Sequence, residues 1–238
     1  MSTAAPQIGF DRFIQLDWAA AAIRVRAGVW DIGQLIELID ASHSGAAAKK
    51  KTRTVLNRLW LEPRPDLVDF ADRGVRICRA SPEVPISVLT WGMAITTYPF
   101  FGKVAEIVGR LTALQGDCAS TEVHRRMAEI YGEREGTRRM TNMVLQSQAN
   151  WGAIDRTMNG KRLVRSPPTK LVDPSLVGWI VEACIRYSCR PIAVASLDGL
   201  PIIFPFQLNG MLSLALSNAT HLDLRAEGGR EQLVDHRI

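Results

Sequence analysis

Cysteine is scarce in this chain, and the few present do not cluster. Cys78, Cys118, Cys184 and Cys189 stand 40, 66 and 5 residues apart. No CxxC pair and no Cys/His group of zinc type occurs, which argues against a structural zinc site or a disulfide framework. Four reduced thiols in a cytoplasmic protein are expected. The common catalytic signatures are missing too. There is no GxxxxGK[ST] phosphate loop, no GxGxxG after a strand, no HExxH and no GxSxG elbow. Their absence removes the nucleotide-loop, dinucleotide, zinc-peptidase and serine-hydrolase classes from consideration. His43, His124, His221 and His236 are scattered, and His124 beside Arg125 and Arg126 reads as a surface residue. Asp66, Asp69 and Asp72 recur every three residues just after Pro65, where a helix N-terminus favours acids without any metal. An enzyme would need dispersed catalytic residues, so the chain is expected to be non-catalytic, with no cofactor and no metal.

Long uninterrupted apolar runs are also lacking. Two stretches carry no charged residue, 84–102 and 199–222, but prolines and glycines break both, with threonines in the first and amides in the second. A spanning helix needs about 20 predominantly apolar residues, so no membrane partner is expected. The start, "MSTAAPQIGF", has no basic region ahead of an apolar core, and no secretory signal is expected there.

What the chain does have is unevenly placed positive charge. Residues 1–120 hold 14 basic and 12 acidic side chains, a balance of +2. Residues 121–170 hold 10 and 5, a balance of +5, and residues 171–238 hold 5 and 7, a balance of −2. The middle segment thus carries the equivalent of the whole net charge of +5. A local excess of this kind points to a polyanion partner more strongly than the overall pI does.

The periodicity predicts a mainly α protein with small β-hairpins, in three parts. Residues 1–98 read as a helical bundle. Asp17 is expected to cap "WAAAAIRVRAG", Asp31 to cap "IGQLIELIDA", and Gly74 to close "PDLVDFADRG". Residues 99–170 read as three helices followed by a hairpin. Gly116 and Gly132 end the first two, and Ser120 or Thr121 caps the second. The third runs over 137–151, with Met140, Val144, Ser147 and Trp151 on one face. Two short strands over 154–165 flank Asn159-Gly160, a pair suited to a two-residue type I′ turn. Three helices then a hairpin is the order of a winged helix, with the third helix placed as in helix-turn-helix readers. Residues 171–238 are compatible with a second, winged-helix-like module. There Asp173 and Pro174 open a helix, "GLPIIFPFQL" reads as extended, "NGMLSLALSNA" as a helix, and the end as a hairpin around Gly228-Gly229. Its candidate reading helix has no basic residue, so this copy is expected to pack against protein.

The candidate binding residues follow from these placements. Thr137, Arg138, Arg139, Thr141, Asn142 and Gln146 are expected to face outward near the start of the third helix, the end that commonly enters the major groove. Lys161 and Arg162 sit at the hairpin tip, within reach of phosphates or a minor groove. Residues 136–165 hold six basic side chains and one acid. Phosphate neutralisation needs such convergent donors. A second cluster, Lys49, Lys50, Lys51, Arg53 and Arg58, has no acid near it in sequence. It reads either as a solvated helix face or as a second phosphate contact.

"KKKTRTVLNRLWL", "YPFFGKVAEIVGRL" and "GTRRMTNMVLQSQANWGAI" together resemble the pattern of BrxA-type accessory proteins of BREX phage-defence systems, over roughly residues 10–165. The resemblance implies a helical bundle with a winged helix, and a non-catalytic component that binds double-stranded DNA beside protein partners in a defence complex. The competing expectation is a docking scaffold whose winged-helix modules assemble a larger enzyme complex.

Overall fold

The structure, a computed structural model, describes residues 9–81, 83–227 and 231–237. Helix α1 (Leu16–Arg26) starts one residue before the expected cap: Gln15 is its N-cap, and Asp17 lies in the first turn. An acid there still meets the positive end of the helix dipole. Helix α2 (Ile32–Ser42) opens as expected with a capping box. Asp31 Oδ1 accepts from Gln34 N at 3.1 Å, and Gln34 Oε1 accepts from Asp31 N at 3.0 Å. Helix α3 (Ala46–Leu56) runs on into a π-helical turn, Asn57–Leu61. Such a turn loosens the carbonyl ladder, and Arg26 collects the loose ends. Its guanidinium donates to the carbonyls of Trp60 at 2.7 Å and Val68 at 3.3 Å, and it pairs with Asp72.

A 3₁₀ turn at Pro65–Leu67 leads into α4 (Val68–Ala80). Gly74 does not end this helix. It lies buried inside it, where a Cβ would sit 3.1 Å from the Trp179 ring. The glycine marks a close approach rather than a terminus, which sequence alone does not distinguish. Helix α5 (Ile86–Thr97) is buried almost all round, as a charge-free helix must be in water.

The second segment folds as α6 (Pro99–Gln115), β1 (Asp117–Ala119), α7 (Ser120–Tyr131), α8 (Glu135–Asn150), β2 (Ile154–Thr157) and β3 (Arg162–Arg165). Strand β3 pairs antiparallel with both β1 and β2, giving the order β1-β3-β2. Gly116 (φ +75°) and Gly132 (φ +87°) end α6 and α7 as expected. The sequence does not predict strand β1, because three residues are too few to show alternation. The strand also alters the start of α7: Ala119 is the N-cap, and neither Ser120 nor Thr121 caps with its side chain.

The last segment continues with β4 (Thr169–Lys170), α9 (Pro174–Ser188), β5 (Ile192–Ala193), β6 (Phe206–Gln207), α10 (Leu212–Asn218), β7 (Leu222–Glu227) and β8 (Glu231–His236). Asp173 caps α9, its carboxylate accepting from Ser175 N at 2.7 Å. Strands β4 and β6 pair in parallel, and β5, β8 and β7 form an antiparallel sheet in that order. The stretch expected to be extended, 199–208, is a strand only at Phe206–Gln207 and forms a 3₁₀ turn at Pro201–Ile203. Pro201 and Pro205 cannot donate to a ladder, which restricts the strand to two residues. The Gly228-Gly229 turn lies outside the described residues.

Buried side chains of all three segments join one core. Three tryptophans tie them together through indole N–H donors. Trp151 donates to the Ile14 carbonyl, Trp91 to Ile202 and Trp179 to Phe70, each at 2.9 Å. Among the described residues, the molecule is mainly helical with small two- and three-stranded sheets, and no helix is long and apolar enough to cross a membrane.

Candidate nucleic-acid interface

Helix α8 sets the geometry. Met140, Val144, Ser147 and Trp151 are buried, as their spacing requires. The buried face is wider than that single row. Thr137 (2% exposed) and Thr141 (0%) lie inside it, so two residues expected to face outward do not. Thr141 Oγ1 donates to the Thr137 carbonyl at 2.8 Å. A threonine that back-bonds to position i−4 satisfies its hydroxyl within the helix and can be buried, which a polarity-based reading misses. Gln146 and Asn142 are half-buried at the edge of this face.

Arg138 and Arg139 are exposed in the first turns of α8, and neither side chain has a hydrogen bond or ion pair among the described residues. Arg134, the N-cap residue, is exposed beside them. Lys161 is exposed at the hairpin tip and equally without a partner there. Arg162 differs. It pairs with Asp117 of β1, the neighbouring strand, so its charge is largely spent within the sheet. Arg165 turns inward, its guanidinium 5.5 Å from the Phe204 ring centre.

A residue not singled out from sequence, Arg156, joins the hairpin to α8. Its guanidinium donates to Asn142 Oδ1 at 2.8 Å and lies where a Cβ on Gly160 would come within 2.7 Å. Its Nε is buried without a partner, and burial pushes its pKa down. Its one visible trace in the sequence is its spacing four residues from Gly160. His124 of α7 feels the same charge. Burial first, then Arg138 and Arg156, hold its imidazole below the usual range, so it is neutral near pH 7. The start of α8 and the hairpin therefore form one cationic locus.

The hairpin tip contains the turn that the Asn-Gly pair suggests: Lys161 N donates to the Met158 carbonyl at 3.2 Å, with Asn159 (φ +55°) and Gly160 (φ +78°) as its central residues. A second turn overlaps it: Gly160 N donates to the Thr157 carbonyl at 2.9 Å, with Met158 (φ +51°) and Asn159 as central residues. In both turns the central φ values are positive, as in a type I′ turn.

Two acids from other elements, Asp40 and Asp11, offset part of the second basic cluster. Arg53 meets Asp40 at 2.9 Å, Lys49 meets Asp40 at 3.5 Å, and Lys51 meets Asp11 at 3.5 Å. Lys50 and Arg58 are exposed without an ion pair among the described residues. The absence of acids in the local sequence overstates the field here, because the fold brings acids in from α2 and from the segment before α1.

Two thiols, Cys118 and Cys184, are buried, and burial pushes them up to about 11 and about 12. Among the described residues no group of three or more His, Cys, Asp or Glu is placed to hold a metal ion. No family model, curated protein or solved structure matches this chain.

Proposed function

We propose that this protein binds double-stranded DNA through α8 and the β2–β3 hairpin, as a winged helix, and has no catalytic role of its own. The observation that carries the reading is the set of unpartnered cations, Arg138, Arg139 and Lys161, on the start of α8 and on the hairpin tip that Arg156 fastens to it. The order helix, strand, helix, helix, strand, strand, with the sheet order β1-β3-β2, supports a winged helix. In that arrangement the exposed start of α8 meets the major groove and the hairpin meets the adjacent backbone. The resemblance to BrxA-type accessory proteins supports placing this binding in a phage-defence complex.

The last segment favours a second role for that part of the chain. Its sheet order, β5-β8-β7, repeats β1-β3-β2, but its helix α10 carries no basic residue. We assign that module to protein docking.

Arg138→Ala combined with Arg139→Ala is expected to weaken duplex binding at least tenfold, measured by fluorescence anisotropy, with the melting temperature nearly unchanged. Exposed substitutions of this kind usually move folding stability by less than about 0.5 kcal/mol. A double variant that binds like the parent would remove α8 as the reading element.

A further inference from the structure

The β2–β3 hairpin breaks a local rule. Its sequence, Thr157-Met158-Asn159-Gly160-Lys161, contains an Asn-Gly pair that takes the central positions of a type I′ turn easily. The chain makes that turn but adds an overlapping one a residue earlier, closed by Gly160 N on the Thr157 carbonyl, which places Met158 at φ +51°. Left-handed backbone is unfavourable for a methionine, and it costs little for asparagine or glycine. The turn also leaves the Met158 side chain 69% exposed. A strained residue with an apolar side chain held out to solvent gains nothing for the free protein, and such strain concentrates at functional sites.

The surroundings fix where that side chain goes. Met158 opens the loop beyond the last strand pair, Thr157 with Arg162. Asn159 and Lys161 flank the tip and are exposed. Arg156 lies against Gly160 and bonds Asn142, so the direction of the tip is set relative to α8. The tip is an apolar point with a cation beside it, on a hairpin fastened to the helix carrying Arg138 and Arg139.

We infer that Met158 is an apolar wedge that enters the DNA minor groove and partly unstacks a base step, bending the duplex. Flexible unbranched apolar side chains serve this purpose in minor-groove binders, and unstacking kinks the duplex. Pyrimidine–purine steps yield most easily. Lys161, next to the tip, is placed for the flanking phosphate. The inference rests on the duplex-binding reading above and adds a contact and a DNA distortion to it.

The test uses the full chain and a duplex of about 30 base pairs with a central TA step and a dye at each end. Energy transfer between the dyes reports bending, and anisotropy reports binding. The parent protein is expected to raise energy transfer. Met158→Asn is expected to abolish that rise and to bind roughly tenfold more weakly, a reduction typical of one specific contact. Its melting temperature is expected to rise by about 2–4 °C, because asparagine accepts the left-handed backbone. Met158→Leu should keep most of the bend. If the parent binds but leaves the duplex straight, or if Met158→Asn bends it equally, the wedge is overturned while duplex binding stands. If Met158→Asn instead lowers the melting temperature, the side chain is structural and the wedge is likewise overturned. If the parent binds no duplex, or only a protein, the duplex-binding reading falls and takes the wedge with it.

Discussion

Trp151→Ala should lower the melting temperature by roughly 10 °C, the largest effect expected of a single substitution in the second segment. The ring stacks on Phe101 at 5.2 Å and meets Trp91 and Phe10 edge-on at 6.2 and 6.4 Å. Its N–H donates to the Ile14 carbonyl, and next to it Ser147 Oγ accepts from Ile14 N at 2.9 Å. Truncating a buried aromatic typically costs about 3–5 kcal/mol. Here it also orphans a buried carbonyl that holds the first segment to α8. Trp151→Phe separates the two contributions, since it keeps the ring packing and removes the hydrogen bond, worth about 1 kcal/mol. Thermal melting of both variants checks this, and an unchanged midpoint for Trp151→Ala would mean that the buried face of α8 is misassigned.

Comparable destabilisation is expected from Glu182→Gln. Glu182 is 1% exposed in α9. Arg73 of α4 grips it with two bonds, at 2.5 and 2.8 Å, and Arg186 donates to it at 2.7 Å. Burial pushes this carboxyl upward, but Arg73 and then Arg186 outweigh it and hold it below the usual carboxylate range. Neutralising it leaves Arg186 without a counter-charge among the described residues and Arg73 with only the exposed Asp69, 2.8 Å away, and breaking a buried pair from one side costs about 3–5 kcal/mol. The pH sign follows. A carboxyl with a depressed folded pKa stabilises fully above its unfolded value, about 4.3, and the contribution is lost as pH falls through the folded value. His236, 3.3 Å from Glu182, is held down by burial first and then by Arg186. The unfolded chain therefore takes up its proton first, and stability declines as pH falls below about 6.5. Denaturant titrations over pH should show a parent curve falling with acid and a Glu182→Gln curve lower at neutral pH and flatter below about pH 4.5.

How much of this was legible in the sequence depends on what each feature rests on. The helices with strong local signals were readable: α2 from Asp31 and Gln34, α9 from Asp173-Pro174, and the ends of α6 and α7 from Gly116 and Gly132. The apolar row on α8 was readable because its period is local. Features that depend on distant partners were not. Gly74 looks like a terminator until Trp179 of α9 is set against it. Strand β1 exists because β3 returns to pair with it. The cluster at 49–58 looks like a strong positive patch until Asp40 and Asp11 offset part of its charge. Thr137 and Thr141 look like surface residues until their hydroxyl bonding is counted. At the candidate interface, Arg138, Arg139 and Lys161 were legible, whereas the brace from Arg156 to Asn142 joins residues 14 apart and has no local pattern.

The most direct measurement is the salt dependence of duplex binding by the parent protein and by a variant carrying Arg138→Ala, Arg139→Ala and Lys161→Ala. For B-DNA each neutralised phosphate contributes about 0.9 to the slope of log affinity against log salt. The parent is expected to bind duplex with a slope of several, and the variant to bind more weakly, with the slope reduced by roughly 0.9 for each phosphate left without its cation. Removing Lys50 and Arg58 as well lowers the slope further only if the second cluster also lies on the duplex. A parent that binds no duplex, or a triple variant whose slope matches the parent's, would contradict the account.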